Sequence, residues 1–286
     1  MSYTIPFDQL SPNDVKLAGG KAISLANMQQ NGIPVPSGFV ITTDAFTTFH
    51  NKEMSDVFKD ELVERFNELG FTYVAVRSSA IAEDADDASW AGQLESYLNV
   101  TKDDLLESVQ KCWASIESNH AVDYAKDKNV PEEDMRVAVV VQGMVQSDVS
   151  GVIFTTDPVS KDNNRIIIEG IYGLGEMIVQ GITTPDMYVI SKDPFAVIDY
   201  SIQIKKQQMV YSDDVNKVVD VTKDKTDRAV LRESEIEELA SIGMQIEKLY
   251  GNPQDIEWAR ENDEFYIVQS RPITTLYTSA SKKVSV

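Results

Sequence analysis

Two short stretches, Asp255-Ile256-Glu257-Trp258 and Phe265-Tyr266-Ile267-Val268-Gln269-Ser270-Arg271-Pro272, carry oxygen donors and a guanidinium at strand-like spacing. Together they have the makings of a site for a metal ion and a phosphate. Side chains two apart in a strand share a face, so Glu257 sits with Asp255, and Gln269 with Ile267 and Arg271. A three-residue loop at Asn262-Asp263-Glu264 sets Glu257 opposite Gln269. A two-residue loop pairs Glu257 with Val268 instead, and because a slip of one residue reverses the faces, the site then dissolves. The longer loop is the expected one. A carboxylate and an amide oxygen are hard ligands, and magnesium commonly takes one or two protein oxygens, completing its shell with water and substrate phosphate. The planar fork of Arg271 suits a phosphate oxygen. The competing reading is an ordinary amphipathic hairpin whose polar residues are merely solvated.

Other residues invite the same question. Lys21 follows Gly19-Gly20 at the start of a helix, where the dipole is positive and a second cation is disfavoured unless something offsets it. A phosphate gathered by backbone N–H groups and the ammonium would do so; a solvated lysine after a glycine turn is the alternative. Arg77 closes the strand-like Val74-Ala75-Val76 run and is followed by Ser78 and Ser79, a usual place for ligand-binding groups. In Ala91-Gly92-Gln93 the backbone at Gly92 could approach phosphates closely, and Ser96 adds a hydroxyl. Gly173-Leu174-Gly175-Glu176 matches neither the dinucleotide fingerprint nor the P-loop, which disfavours a Walker-type ATPase.

These groups need elements to position them. Periodicity predicts a helix over 19–30 stopped by Gly32 and Pro34, a strand over 39–42, helices over 44–49 and 55–69, and a strand over 73–77. Thr101 with Asp104 makes a capping-box pattern ahead of a helix carrying Leu105, Leu106, Val109, Trp113 and Ile116. Cys112 lies within that pattern and reads as a small buried apolar residue. From Arg136 short β-branched runs take over, at 137–142, 151–155, 165–169, 187–191 and 197–205. Ser234 with Glu237 then caps a last helix before the hairpin.

The chain has 286 residues, 42% of them apolar, enough for a large domain or two subdomains with a real core. Forty-six acidic against twenty-six basic residues give a formal charge of −20, which disfavours nucleic acid and anionic membrane as partners. A single cysteine, no apolar run of bilayer length and an amino terminus unlike a secretion signal point to the cytoplasm.

The ordered set of motifs resembles the nucleotide-binding domain of the pyruvate phosphate dikinase and phosphoenolpyruvate synthase family, and also the front end of rifampin phosphotransferase. The set is Gly19-Gly20-Lys21 with Val35-Pro36-Ser37-Gly38-Phe39, Val76-Arg77-Ser78-Ser79-Ala80, Ala91-Gly92-Gln93 with Tyr97-Leu98-Asn99-Val100, Gly173-Leu174-Gly175-Glu176 and the closing hairpin. The resemblance implies an α+β, ATP-grasp fold of two subdomains holding ATP in a cleft between them. These would be residues 1–135, contacting phosphates, and 136–277, bearing the adenine and magnesium sites, with 278–286 a tail or the start of a linker. It implies phosphate contacts for Lys21 and Arg77, a phosphate loop at Gly92 and Ser96, and adenine facing Gln142 and the backbone of Met144 and Val145. Glu257 and Gln269 would hold Mg2+, and Arg271 would bridge phosphate oxygens, leaving Lys21, Arg77 and Arg271 as the catalytic cations.

The family passes phosphate to a histidine on a separate swivelling domain, and neither His50 nor His120 sits in a suitable motif. The segment between Phe46 and Tyr73 is also shorter than its counterpart. The implied activity is therefore that of an ATP-dependent, dikinase-type phosphotransferase domain or subunit, shortened or naturally split, that phosphorylates a histidine supplied in cis or in trans. An ATP-grasp carboxylate ligase and a non-catalytic nucleotide-responsive module are the alternatives.

Overall fold

A computed structural model describes residues 2–81, 84–85, 88–89, 95–118, 123 and 135–273. The chain divides into two units, Met1–Met144 and Val145–Val286.

The first unit runs β1 (Thr4–Pro6), α1 (Val15–Gln30), β2 (Gly38–Ile41), α2 (Thr43–Phe49), α3 (Asp56–Leu69) and β3 (Val74–Ala80). A two-residue ribbon, β4 (Asp84–Ala85) with β5 (Ala88–Ser89), precedes β6 (Ser96–Val100), α4 (Leu105–Ala114) and β7 (Val137–Gly143). Five of these strands form an antiparallel sheet in the order β1-β2-β7-β3-β6. Alternation along the strands gives the sheet two distinct faces. Phe39, Ile41, Val74, Val76, Val139 and Val141 pack with Phe58, Leu62 and Phe66 of α3 and Leu105, Val109 and Trp113 of α4. The opposite face receives α1 through Ala18, Ala22, Leu25 and Met28, all buried.

The second unit runs β8 (Val149–Phe154), β9 (Arg165–Tyr172), α5 (Glu176–Val179), β10 (Asp186–Lys192), β11 (Phe195–Ser201), β12 (Gln207–Ser212), β13 (Val215–Asp220), α6 (Glu233–Tyr250), β14 (Gln254–Glu261) and β15 (Glu264–Pro272). Its sheet is antiparallel in the order β11-β10-β9-β8-β14-β15. On the face toward α6 the Trp258 ring lies over the paired glycines Gly151 and Gly170; a Cβ on Gly151 would sit 1.8 Å from the Glu169 carbonyl oxygen and 2.8 Å from that ring. The same row of the sheet ends at Asp186, which is fully buried with Lys205 in a 2.6 Å ion pair. Asp186 also accepts from the backbone N–H of Gln203 and of Val230, so this charge is hydrogen-bonded on several sides.

Several expectations need correction. The strand over 137–142 pairs with both β2 and β3, which makes it the middle of the first sheet; the division of the chain falls after Met144 rather than after 135. The first helix begins at Val15, with a break at Gly19, instead of at Gly19. The last helix is capped at Arg232, whose backbone N–H donates to Glu235 at 2.6 Å, so Ser234 and Glu237 play no capping part. The strand read over 197–205 stops at Ser201, because the chain must turn there to bring Lys205 to Asp186. Tail residues 278–286 lie outside the described residues.

Candidate nucleotide and metal site

Gly19 has φ 73°, and the regular part of α1 starts behind it. A Cβ there would lie 2.4 Å from both the backbone carbonyl oxygen and the Oγ of Ser79, so only glycine lets the helix approach β3 this closely. The contact is then knitted by hydrogen bonds: Ala22 N–H donates to Ser79 Oγ at 3.3 Å, and Lys21 Nζ donates to the Ser78 carbonyl at 2.6 Å. That carbonyl supplies the negative partner a lysine near a helix start requires. Gly19→Ala is expected to lower stability by about 2 kcal/mol through left-handed strain and the backbone clash. Thermal unfolding monitored by circular dichroism checks this; an unchanged midpoint would contradict the close packing of α1 on β3.

Arg77 pairs with Val140 on one side and with Ser96 on the other, so Arg77 and Ser96 stand on the α1 face of the sheet. Gln142 faces the same way, opposite Ala75 and Gly38, and its amide donates to the Pro36 carbonyl at 3.4 Å. Lys21, Arg77, Ser96 and Gln142 are thus gathered on one side of the first unit. Met144 N–H is already donated to the Tyr73 carbonyl at 3.0 Å, which leaves Met144 only its carbonyl for a base. Val145 begins the second unit, and Gly92 lies outside the described residues. His50 stacks on Phe46 and meets Glu117 at 2.9 Å on the surface, an ordinary structural histidine; His120 lies outside the described residues.

In the second unit the hairpin corrects one expectation and keeps another. Its loop has two residues, Asn262 and Asp263, both with positive φ, as a type I′ turn requires. Pairing from that turn alone would set Glu257 against Val268. A bulge intervenes: Trp258 pairs with Ile267, Glu257 pairs with Gln269, and Val268 is the extra residue. The physical reason is burial. The short turn sends Phe265 and Ile267 to the core side with Trp258, whereas the longer loop would have sent Tyr266 and Val268 there. The bulge then resets the faces, so Gln269 no longer shares a side with Ile267. Instead Asp255, Glu257, Gln269 and Arg271 stand together on the face away from α6, while Ser270 turns inward to hydrogen-bond Gln254 at 2.9 Å.

Arg271 Nε and Nη2 donate to Asp255 Oδ2 at 2.9 and 2.7 Å, which fixes the guanidinium on this face. Burial pushes the Asp255 carboxyl upward against the pull of Arg271, and Glu257 adds to the rise. One strand further, Val152 pairs with Glu257 and then with Glu169, so Glu169 belongs to the same row. Burial, with the charge of Asp255 second, holds the Glu169 carboxyl above the usual carboxylate range. Sequence reasoning passed over Asp255 as a holder of Arg271, although its spacing from Glu257 was visible; Glu169 gave no local signal, because only strand pairing brings it here.

Comparison with known proteins now bears on this geometry. The family described as Pyruvate phosphate dikinase, AMP/ATP-binding domain, matches residues 15–64 and 47–286. The chain belongs to this family. With membership comes the ATP-grasp assignment, and the α+β class is observed in both units.

Among relatives of the dikinase family, a probable phosphoenolpyruvate synthase of Archaeoglobus fulgidus is 40% identical, covering 92% of this chain and 40% of that protein. An uncharacterized phosphotransferase of Bacillus subtilis, YvkC, is 37% identical, covering 96% and 35%. The chain spans less than half the length of these relatives, and 28% and 46% of two further probable phosphoenolpyruvate synthases, from Methanocaldococcus jannaschii and Methanothermobacter thermautotrophicus. An L-amino acid ligase crystal structure from Bacillus licheniformis superposes with a TM-score of 0.40 at 10% identity, covering 91% of this chain and 43% of that one, too loose a likeness to identify a fold. Among the described residues, no helix is long and apolar enough to cross a membrane.

Proposed function

We propose that this chain binds Mg-ATP and presents it for phosphoryl transfer to a histidine carried on a separate domain, in cis or in trans, in the manner of phosphoenolpyruvate synthase-like enzymes acting in the cytoplasm. The observation that carries the reading is the bulged pairing of Glu257 with Gln269, beside an Arg271 held by Asp255, in a member of an AMP/ATP-binding domain family.

The donor set fits magnesium: one carboxylate and one amide oxygen on neighbouring strands leave most of the ion's octahedron to phosphate and water. When bound, the ion would neutralise charge on the phosphates. Lys21 and Arg77 would hold phosphate oxygens, Arg271 would take others with its fork, and Ser96 with Gly92 would line the phosphate loop. Gln142, with the Met144 and Val145 backbone, would meet the base. In the transfer itself an imidazole nitrogen bonds to phosphorus as the P–O bond breaks. The electron pair departs on the leaving oxygen, and the imidazole proton passes to solvent. Little covalent work falls to this chain, whose part is positioning and charge stabilisation.

Calorimetry with ATP, with and without magnesium, and labelled transfer to a histidine-bearing domain of a dikinase-family enzyme test the proposal. Magnesium-dependent uptake and an acid-labile phosphohistidine are expected. Absence of any magnesium-dependent nucleotide binding would overturn it.

A further inference from the structure

Glu169 is not among the groups assigned above, yet it shares their surface. One row across the second sheet reads Met187, Glu169, Val152, Glu257 and Gln269; the next reads Val189, Ile167, Phe154, Asp255 and Arg271. Cross-strand partners point to one face, so both rows present their side chains away from α6. The two rows change character along their length. The β14–β15 end carries carboxylates, an amide and a guanidinium; the β10 end is apolar. Glu169 stands at the border.

Strands lie about 4.8 Å apart, so Glu169 is about 10 Å from Glu257 at the backbone, with Val152 between them. Among the described residues no three carboxylate, histidine or cysteine side chains are grouped to hold one ion, so Glu169 does not join Asp255 and Glu257 as a third metal ligand. Its carboxylate is half-buried and, among the described residues, makes no hydrogen bond. A desolvated acceptor in that position is costly unless a donor arrives with the ligand. A nucleotide whose phosphates sit at Glu257, Gln269 and Arg271 continues, away from its phosphates, into the sugar.

We infer that Glu169 accepts a hydrogen bond from a ribose hydroxyl of the bound nucleotide, and so selects ribonucleotides over their deoxy counterparts. The inference rests on the nucleotide reading of this site. A carboxylate reaching a 2′- or 3′-hydroxyl forms a charge-assisted bond, and its loss is expected to cost about tenfold in affinity.

The test is binding of Mg-ATP, Mg-2′-deoxyATP, Mg-3′-deoxyATP and Mg-tripolyphosphate to the wild-type chain and to Glu169→Ala and Glu169→Gln. Wild type should bind ATP about tenfold more tightly than at least one deoxy form. Glu169→Ala should bind ATP and that form alike, with tripolyphosphate affinity unchanged. Glu169→Gln should melt no lower than wild type, since a half-buried charge without a partner is removed. An ATP-to-deoxyATP ratio that is the same in Glu169→Ala as in wild type overturns the inference while leaving ATP binding intact. A wild type that binds no Mg-ATP overturns the nucleotide reading itself.

Discussion

Lys21→Ala is expected to lower phosphoryl transfer from ATP by about a hundredfold to a thousandfold, the usual consequence of removing one preorganised group from developing charge. The fold should survive. Lys21 donates to the backbone carbonyl of Ser78, and losing such a bond costs about 1 kcal/mol. Arg77→Ala should behave in the same way, because its neighbours in the sheet, Val140 and Ser96, remain paired through the backbone. Labelled transfer to a histidine-bearing domain, read beside nucleotide affinity and circular dichroism, separates loss of chemistry from loss of structure. Near-normal transfer by both variants would remove the first unit from the proposed chemistry.

The largest stability effect should come from the buried pair behind the second sheet. Asp186→Ala leaves the Lys205 ammonium in a dry interior and takes the acceptor from Gln203 and Val230 N–H at once. Breaking a buried pair by removing one partner costs about 3–5 kcal/mol, because the remaining charge is uncompensated. Lys205 also donates to the Gln203 carbonyl at 2.7 Å, which does not replace a full opposite charge. Urea unfolding should show a large fall for Asp186→Ala and partial recovery for Asp186→Ala with Lys205→Met. A double variant as unstable as the single one would mean that the hydrogen bonds to Gln203 and Val230, and not the ion pair, carry the effect.

Much of the fold was legible where the signal is local. Gly32 has φ 79° and ends α1 as its position suggested, and Thr101 and Asp104 exchange hydrogen bonds ahead of α4. Elements that depend on distant partners were not legible. The ribbon β12–β13 is a polar stretch whose strands pair with each other, and the Met209 carbonyl accepts from Leu174 N–H. Nothing in its own composition announces that contact. The same limit explains β7: its β-branched run reads as a strand anywhere, and only its neighbours β2 and β3 decide which sheet it joins.

The candidate site followed the same rule. Lys21 and Arg77 stand out by their positions at element ends and Ser96 by the small-residue segment before it, and the structure sets all three on one face. Glu257 opposite Gln269 was expected from a three-residue loop, and the pairing exists although that loop does not. Burial of Phe265 and Ile267 outweighed the simplest count, and a bulge absorbed the difference. Periodicity assumes an unbroken strand, so no reading by twos could have found it.

Because Val268 takes up the odd residue, the tip of this ribbon and its ligand-bearing base answer to separate constraints. A tip one residue longer, with the slack removed, would exchange which apolar side chains reach the interior while Glu257 still faced Gln269. Turn length is therefore free to drift among descendants without the chemistry drifting with it. A one-position gap between two such ribbons is no sign that either has lost its ligands.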